Sequence, residues 1–130
     1  MKVTIETDVW IRDEVPIKST VAIHIRPENS IERERLDEIY EDILHDIGYT
    51  YGYWVTKVGF SSSFDLDEVE ISEIEVRLGT FEGSSEDVEE FIEEKAETAE
   101  EISSEIKDML EDKGINVGIF KEYYQHLMTG

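Results

Sequence analysis

Carboxylates are the most numerous side chains in this sequence that could take part in chemistry. The chain has 33 aspartates and glutamates, three histidines and no cysteine. His45 follows Glu41 and Asp42 at a spacing that places all three on neighbouring turns of a helix, as in some metal sites. No second histidine lies within a turn of His45, so we predict an exposed charge network there. The spacing of His24 and His126 gives no reason for the three histidines to converge.

Two further stretches have part of the composition of a binding motif. Asp65, Asp67 and Glu68 form an acidic cluster, but a calcium loop needs more oxygen ligands and a glycine at its turn. We therefore expect only weak cation binding there. The segment 79–83 has two glycines, yet it lacks the lysine of a phosphate-binding loop and has acidic surroundings. Carboxylate pairs are unavoidable among 33 acids and do not indicate acid–base catalysis, so we predict no catalytic residue, metal or cofactor.

The most unusual charge pattern lies in the second half of the chain. Apolar residues at helical spacing predict one helix over 85–113, about 44 Å long and ended by Gly114. We expect its apolar stripe to be buried against a sheet, with the stem of Lys95 along the edge of that stripe. The stripe contains Val88, Phe91, Ile92, Ala99, Ile102, Ile106, Met109 and Leu110.

The rest of this helix surface is acidic, although like charges four residues apart destabilise a helix by a few tenths of a kcal/mol per pair. Neighbouring acids on a helix face stand about 5–6 Å apart, and phosphates repeat along a DNA strand on a comparable scale. Rows of carboxylates could therefore occupy a channel lined with lysine and arginine and form charge-assisted hydrogen bonds there. The predicted partner-binding residues, called the acidic face below, are Glu86, Glu89, Glu90, Glu93, Glu94, Glu97, Glu100, Glu101, Glu105 and Asp108.

Two plainer interpretations of the acids stay open. One is a solvated surface. The other is an adaptation to high salt, but the excess of glutamate over aspartate and the abundance of isoleucine argue against it. In composition the chain is similar to small acidic phage and plasmid proteins that act on restriction, CRISPR and repair enzymes. We expect a non-enzymatic protein that binds a basic, nucleic-acid-handling protein and blocks it by presenting carboxylates in place of phosphates. One alternative is a small structural or virion-assembly component with an acidic surface. The third and weakest is an enzyme that uses a carboxylate-bound metal.

Alternating patterns predict the first strands that support the helix. Residues 1–11 and 20–26 alternate between apolar and polar side chains, which predicts an antiparallel pair joined by a loop over 12–19. Pro27 then ends the second strand, because proline cannot donate to the ladder.

The middle of the chain predicts a helix followed by an aromatic strand. Asn29 and Ser30 are good caps for a helix that continues to about residue 47 and stops at Gly48. Residues 49–60 have apolar or aromatic side chains on both faces, which is typical of a central strand. In that strand three tyrosines, at positions 49, 51 and 53, would share one face, where packing is a better explanation than base stacking because positive charge is scarce.

The remaining segments complete an α+β fold. Residues 64–81 predict one strand or a pair of short ones, and the phase of the apolar residues shifts at Ser72–Glu73, as a bulge would produce. Residues 115–120 predict an edge strand, and 121–130 a short tail. The order β-β-α-β-β-α-β predicts a mainly antiparallel sheet with two helices on one face, the second long and acidic. We expect residues 1–130 to form a single domain.

Composition excludes several classes of protein. The absence of cysteine excludes a disulfide framework and a thiolate metal site. No apolar run approaches the ~18 residues of a membrane span, and the first residues read as a strand, so we expect an intracellular protein. With 33 acidic residues against 12 basic ones the net charge is −21, which repels nucleic acids and anionic membranes. The expected partner is therefore a basic protein.

Overall fold

The fold is a five-stranded sheet with helices on one face. The structure is a computed structural model that describes residues 1–61 and 69–128. It describes the side chains of these residues except in the range 60–71. The cluster predicted at Asp65, Asp67 and Glu68 lies outside the described residues. The strand order across the sheet is β3-β4-β2-β1-β5. The strands are β1 (Lys2–Arg12), β2 (Val15–Arg26), β3 (Trp54–Ser61), β4 (Val69–Glu82) and β5 (Gly118–Leu127).

The antiparallel pairing of β1 with β2 confirms the prediction for the first two strands. The predicted loop over 12–19 is wrong, because Asp13 and Glu14 alone turn the chain, with φ angles of 51° and 66°. Arg12 pairs with Val15 across this two-residue turn, and the register shifts by one residue next to Pro16. A bulge accommodates proline in a sheet, so the ladder extends through a segment whose composition suggests a loop.

The predicted single helix is divided into four consecutive helical pieces. They are α1 (Ser30–Glu34), α2 (Leu36–Ile43), a π-helical turn (Leu44–Gly48) and α3 (Tyr49–Tyr51). Asn29 caps α1 as predicted, since its side chain accepts a hydrogen bond of 2.9 Å from the amide of Glu32.

Gly48 does not stop the helix, which corrects the sequence prediction. Its role is close packing, because a Cβ there would lie 3.1 Å from the Val55 side chain. The stop is Gly52, whose φ of 75° is left-handed. Tyr49 and Tyr51 therefore lie on α3, and the predicted row of three tyrosines on one strand is wrong.

The predicted bulge in β4 is present. Val58 of β3 pairs with Glu73 and the next residue, Gly59, pairs with Ile71. Ser72 is left without a partner residue, and its hydroxyl donates a 3.0 Å hydrogen bond to the Val58 carbonyl. The bulge keeps both Ile74 and Val76, beyond it, in the core.

The long helix α4 (Ser85–Asp112) crosses the sheet above β2 and packs also on β1 and β4. Ser84 caps it by accepting a hydrogen bond from the amide of Asp87, and Gly114 follows its end with a φ of 80°. Most of the predicted apolar stripe is fully buried, and Phe91, Ile92 and Met109 are half-buried. Its fully buried members are Val88, Ala99, Ile102, Ile106 and Leu110.

The last strand changes the sheet from mainly antiparallel, as predicted, to mixed. The predicted last edge strand is present as β5, but it covers Gly118–Leu127 instead of 115–120 and runs parallel to β1. The predicted tail, which begins at residue 121, is wrong. The helix α4 returns the chain to the opposite end of the sheet. β5 therefore runs in the same direction as β4 and β1. The sequence pattern of β5 is weak because most of its side chains are exposed on both faces of the sheet.

One core lies between the sheet and the helices. Leu36, Ile39 and Ile43 of α2 belong to the same buried cluster as Ile102 of α4 and Ile23 of β2. The helices therefore cover a single face of the sheet. The other face is polar and aromatic, and in the described residues no helix covers it.

Candidate functional site

The acidic face lies on the side of α4 that points away from the sheet. All ten of its residues are exposed. The buried stripe fixes this orientation, because the side chains that pack on β2 recur every three to four residues. The Ser84 cap and the acids in the first turn suit the positive end of the helix dipole.

Most carboxylates of this face have no cation beside them. Within the described residues, Glu100 is the one member in an ion pair, with Lys121 of β5. Glu105 accepts a hydrogen bond from the phenol of Tyr51. That bond raises the pKa of Tyr51 above its ordinary value, because the nearby carboxylate disfavours the phenolate. The row Glu93, Glu97 and Glu101 is exposed and has no side-chain partner in the described part of the chain.

Basic residues instead neutralise acids elsewhere in the fold. Lys113, just after α4, donates hydrogen bonds to Asp42 and Glu38 of α2, and these bonds raise the pKa of Lys113. The same contact lowers the pKa of Glu38. Among the described residues, further ion pairs join Arg26 to Glu6 and Glu73, Lys57 to Asp37, and Arg77 to Glu75.

Other lysines lie against aromatic rings rather than beside carboxylates of α4. The Lys95 ammonium is 5.5 Å from the centre of the Tyr53 ring, and its half-buried stem follows the edge of the stripe. The ammonium of Lys18 is 5.0 Å from the centre of the Trp10 ring. Both lysines are thus held by cation–π contacts, and the acidic face keeps its charge.

A pocket of about 350 Å³ lies at the start of α4, beside the acidic face. The rings of Phe81 and Phe91 stack with centres 5.7 Å apart, and Asp87, Glu90 and Glu94 complete the lining. Aromatic faces and carboxylates together suit a cation on an apolar stem, such as an arginine or lysine side chain. The sequence did not predict this pocket, because Phe81, near the end of β4, and Phe91 of α4 meet only in the folded chain. The two glycines of the segment 79–83 are the one sequence signal near it.

The three histidines lie apart, as their spacing suggests. His24, on the open face of the sheet, has its Nε2 2.9 Å from Glu6 and its Nδ1 3.4 Å from Glu73. His126 stacks on Trp10 with ring centres 4.8 Å apart. His45 is exposed and meets Tyr49 edge to face.

Neither a metal site nor a membrane-spanning helix is present in the described residues. In residues 1–59 and 72–128, whose side chains the structure describes, no group of three or more histidine, aspartate or glutamate side chains is arranged to hold a metal ion. In that same part of the chain, no helix combines the length and the apolar composition that a membrane crossing requires.

The two features brought together by the fold are therefore the acidic face and the pocket of Phe81 and Phe91. The geometry favours electrostatic binding of cations over covalent chemistry, because carboxylates and aromatic faces attract cations and neither is a strong nucleophile. No family model, no curated protein and no solved structure matches this chain.

Proposed function

We propose that this protein is a non-enzymatic binding protein that blocks a basic, nucleic-acid-handling partner. The acidic face would take the place of a phosphate backbone in the partner's binding channel. The observation that carries this proposal is that nine of the ten exposed carboxylates of the acidic face, all except Glu100, have no ion-pair partner among the described residues, although the chain has 12 lysines and arginines. A helix that served only for solubility would gain stability from lysines placed among its glutamates.

The linear charge density of the face supports phosphate mimicry. At ~1.5 Å per residue, Glu86 and Asp108 stand about 33 Å apart along the helix axis. The ten carboxylates of the face therefore occur about once every 3.7 Å along the axis, against one phosphate per ~3.4 Å along each strand of duplex DNA. The whole face has about the length of one turn of the duplex, ~34–36 Å.

The pocket beside the face supports a protein partner over a simple salt effect. Two stacked phenylalanine rings add apolar contact area to the three carboxylates around them. An arginine side chain entering there would gain both charge-assisted hydrogen bonds and a cation–π contact. Diffuse surface charge alone offers no such shape.

A charge-reversal variant with a matched control tests the proposal. The test variant changes Glu93, Glu97, Glu101 and Asp108 to lysine, because these exposed residues have no ion-pair partner in the described structure and lie opposite the buried stripe. Glu100 is left unchanged because it contacts Lys121. The control makes the same change of net charge away from α4, at Glu14, Glu34, Glu41 and Asp46, which are exposed and without ion pairs among the described residues.

The assay has two stages. Protein captured from a lysate of the source cells at low salt is identified, and its binding to a labelled DNA or RNA is then measured in competition with this chain. Wild type and control should displace the nucleic acid, while the test variant should compete at least about tenfold less well at low salt, since local charge sets the encounter. Equal competition by the test variant and the wild type, with both folded, would exclude phosphate mimicry by α4.

A separate observation favours the assembly alternative. β5 is a long edge strand with exposed apolar side chains on both of its faces, a surface that the proposed partner binding does not use. Assembly through β5 and blocking through α4 involve different residues and are compatible in one molecule.

A further inference from the structure

In the part of the chain that the structure describes, no strand pairs with the outer edge of β5, whose backbone groups there are directed away from the sheet. The amide of Gly118 donates to the Met1 carbonyl, and the amide of Met128 donates to the Ile11 carbonyl, so even-numbered residues bond to β1. Because backbone groups alternate in direction along a strand, odd-numbered residues present their N–H and C=O groups outward. The outward-facing residues are Ile119, Lys121, Tyr123, Gln125 and Leu127.

This edge lacks the features that usually prevent strand pairing, which are short length, proline, bulges and lysines. β5 has ten residues and no proline, and its one lysine, Lys121, contacts Glu100 of α4. The opposite edge, β3, is eight residues long and its pairing has a bulge beside Gly59. The exposed apolar residues of β5 are Ile119, Phe120, Tyr123, Tyr124 and Leu127, the last of them 80% exposed.

We propose that β5 pairs with β5 of a second copy of this chain. The two strands would run antiparallel around a two-fold axis at Tyr123, and the two sheets would join into one of ten strands. Such an interface is self-complementary, because each residue of one copy meets its own symmetry partner or a residue that meets it in return.

Hydrogen bonding selects this register. With the axis at Tyr123, all five outward-facing residues face outward-facing residues of the second copy and exchange about ten backbone hydrogen bonds. Moving the axis to Glu122 or to Tyr124 leaves one outward-facing residue of each copy beyond the paired region, and about two bonds are lost. An axis at Glu122 also places the Glu122 carboxylates of the two copies opposite each other. An axis at Lys121 places the two Lys121 ammonium groups opposite each other, and like charges in this position destabilise a strand pair.

The side chains fit the same register. In the middle of the paired region no like charges lie opposite each other. The two charged residues, Lys121 and Glu122, lie opposite neutral polar residues. Apolar and aromatic side chains meet at the ends of the paired region. The pairs, one residue from each copy, are Ile119 with Leu127, Phe120 with His126, Lys121 with Gln125, Glu122 with Tyr124, and Tyr123 with itself.

Charge explains why this edge suits a second acidic copy. β5 has one lysine and one glutamate and is locally neutral, while the whole chain has a net charge of −21. Repulsion between two such chains acts over the distance that salt screens, about 30 Å at 10 mM and about 4 Å at 0.5 M. Salt should therefore strengthen the dimer, whereas it should weaken binding of a basic partner to the acidic face.

Sedimentation velocity of the full chain tests the proposal. Between about 1 µM and 1 mM protein we expect a monomer–dimer equilibrium that shifts at least several-fold toward dimer from ~50 mM to ~500 mM salt. A monomer over the whole range at both salt concentrations overturns the proposal. Because the acidic face is unchanged in this experiment, its result is independent of the competition assay.

Cross-linking tests the position of the axis. The chain has no cysteine, so Tyr123→Cys introduces a single thiol. In the proposed dimer the two Cα atoms at position 123 are about 5.5 Å apart, a distance that a disulfide spans. Gln125→Cys is the matched control, since it is on the same face but about 14 Å from its own copy at ~3.4 Å per residue. Mild oxidation should link the first variant and not the second, and equal or reversed linking overturns the register.

Charge variants at Gln125 separate the local pairing from overall repulsion. In the proposed register Gln125 lies opposite Lys121 of the second copy, twice per dimer. Gln125→Glu should tighten the dimer about three- to tenfold and Gln125→Lys should weaken it by a similar factor. Overall repulsion predicts the opposite order, since the first variant adds negative charge. That opposite order, or no difference, would overturn the pairing even if a dimer forms.

Discussion

The turn between β1 and β2 gives the clearest quantitative prediction. Asp13 and Glu14 have φ angles of 51° and 66°, and Arg12 pairs with Val15, the arrangement of a two-residue hairpin with both central residues left-handed. A non-glycine residue loses roughly 1–2 kcal/mol in this region. Aspartate tolerates it better than glutamate, because its short polar side chain can bond to the nearby backbone.

Glu14→Gly should therefore stabilise the fold. Glycine removes the free-energy cost of the left-handed conformation. It also increases the entropy of the unfolded chain, which lowers the stability by roughly 0.5–1 kcal/mol. The expected net gain is about 0.5–1 kcal/mol in the free energy of unfolding, which corresponds to a rise of roughly 1–5 °C in Tm for a chain of this length. Urea denaturation followed by circular dichroism measures it, with a fixed m-value as the check on two-state unfolding.

Removal of one negative charge is the competing explanation, and Glu14→Gln is its control. The glutamine variant loses the same charge and keeps a side chain in the left-handed conformation, so it should gain much less than the glycine variant. If the glutamine and glycine variants are equally stable, charge alone explains the gain. If Glu14→Gly is less stable than wild type, the backbone reasoning is refuted.

Three further predictions concern the core, the charge and the ionisation of one tyrosine. Ile102→Ala or Ile106→Ala should lower the free energy of unfolding by about 2–4 kcal/mol, because both side chains are fully buried; unchanged denaturation midpoints would show that the stripe is not packed. Tm of the wild type should rise from ~10 mM to ~500 mM salt as carboxylate repulsion is screened, and a flat series would mean that the acids are already neutralised. Glu105→Gln should lower the pKa of Tyr51 toward its ordinary value in an ultraviolet titration, because the charged acceptor is lost. Since the folded pKa of Tyr51 is raised, any stability from this bond is present below the unfolded pKa and is lost as pH rises through the folded pKa.

The elements predicted well are those with one buried and one solvated face. In β1 the alternation of Val3 and Ile5 with polar residues shows which side meets the core, and the burial pattern agrees except at Thr4, which is buried on the opposite side. In α4 the recurrence of Ile102, Ile106 and Leu110 identifies the buried stripe in the same way. Both patterns are local, so a single sequence contains them in full.

The parts that sequence missed depend on contacts between distant segments. β5 is stabilised by pairing with β1, more than one hundred residues away, and its own side chains are mostly exposed. Glycine is a residue type that often ends a helix, but Gly48 lies inside a π-helical turn. It packs there against Val55, where a larger residue would be too close. The pocket near Phe91 requires the end of β4 to meet the start of α4. The acidic face, in contrast, needed only the helix period and the sequence of charges.

The parallel pairing of β5 with β1 has a consequence for synthesis on the ribosome. Of the five strands, β1 leaves the exit tunnel before the others, and β2 follows and can pair with one of its edges at once. The other edge of β1 keeps its backbone groups unpaired until β5, the last strand, has emerged. At ~5–20 residues per second this edge stays open for roughly 6–25 seconds, and closing so long a loop slows folding. Nascent chains of this protein are therefore expected to need protection of β1 during translation, by a chaperone or by the ribosome surface.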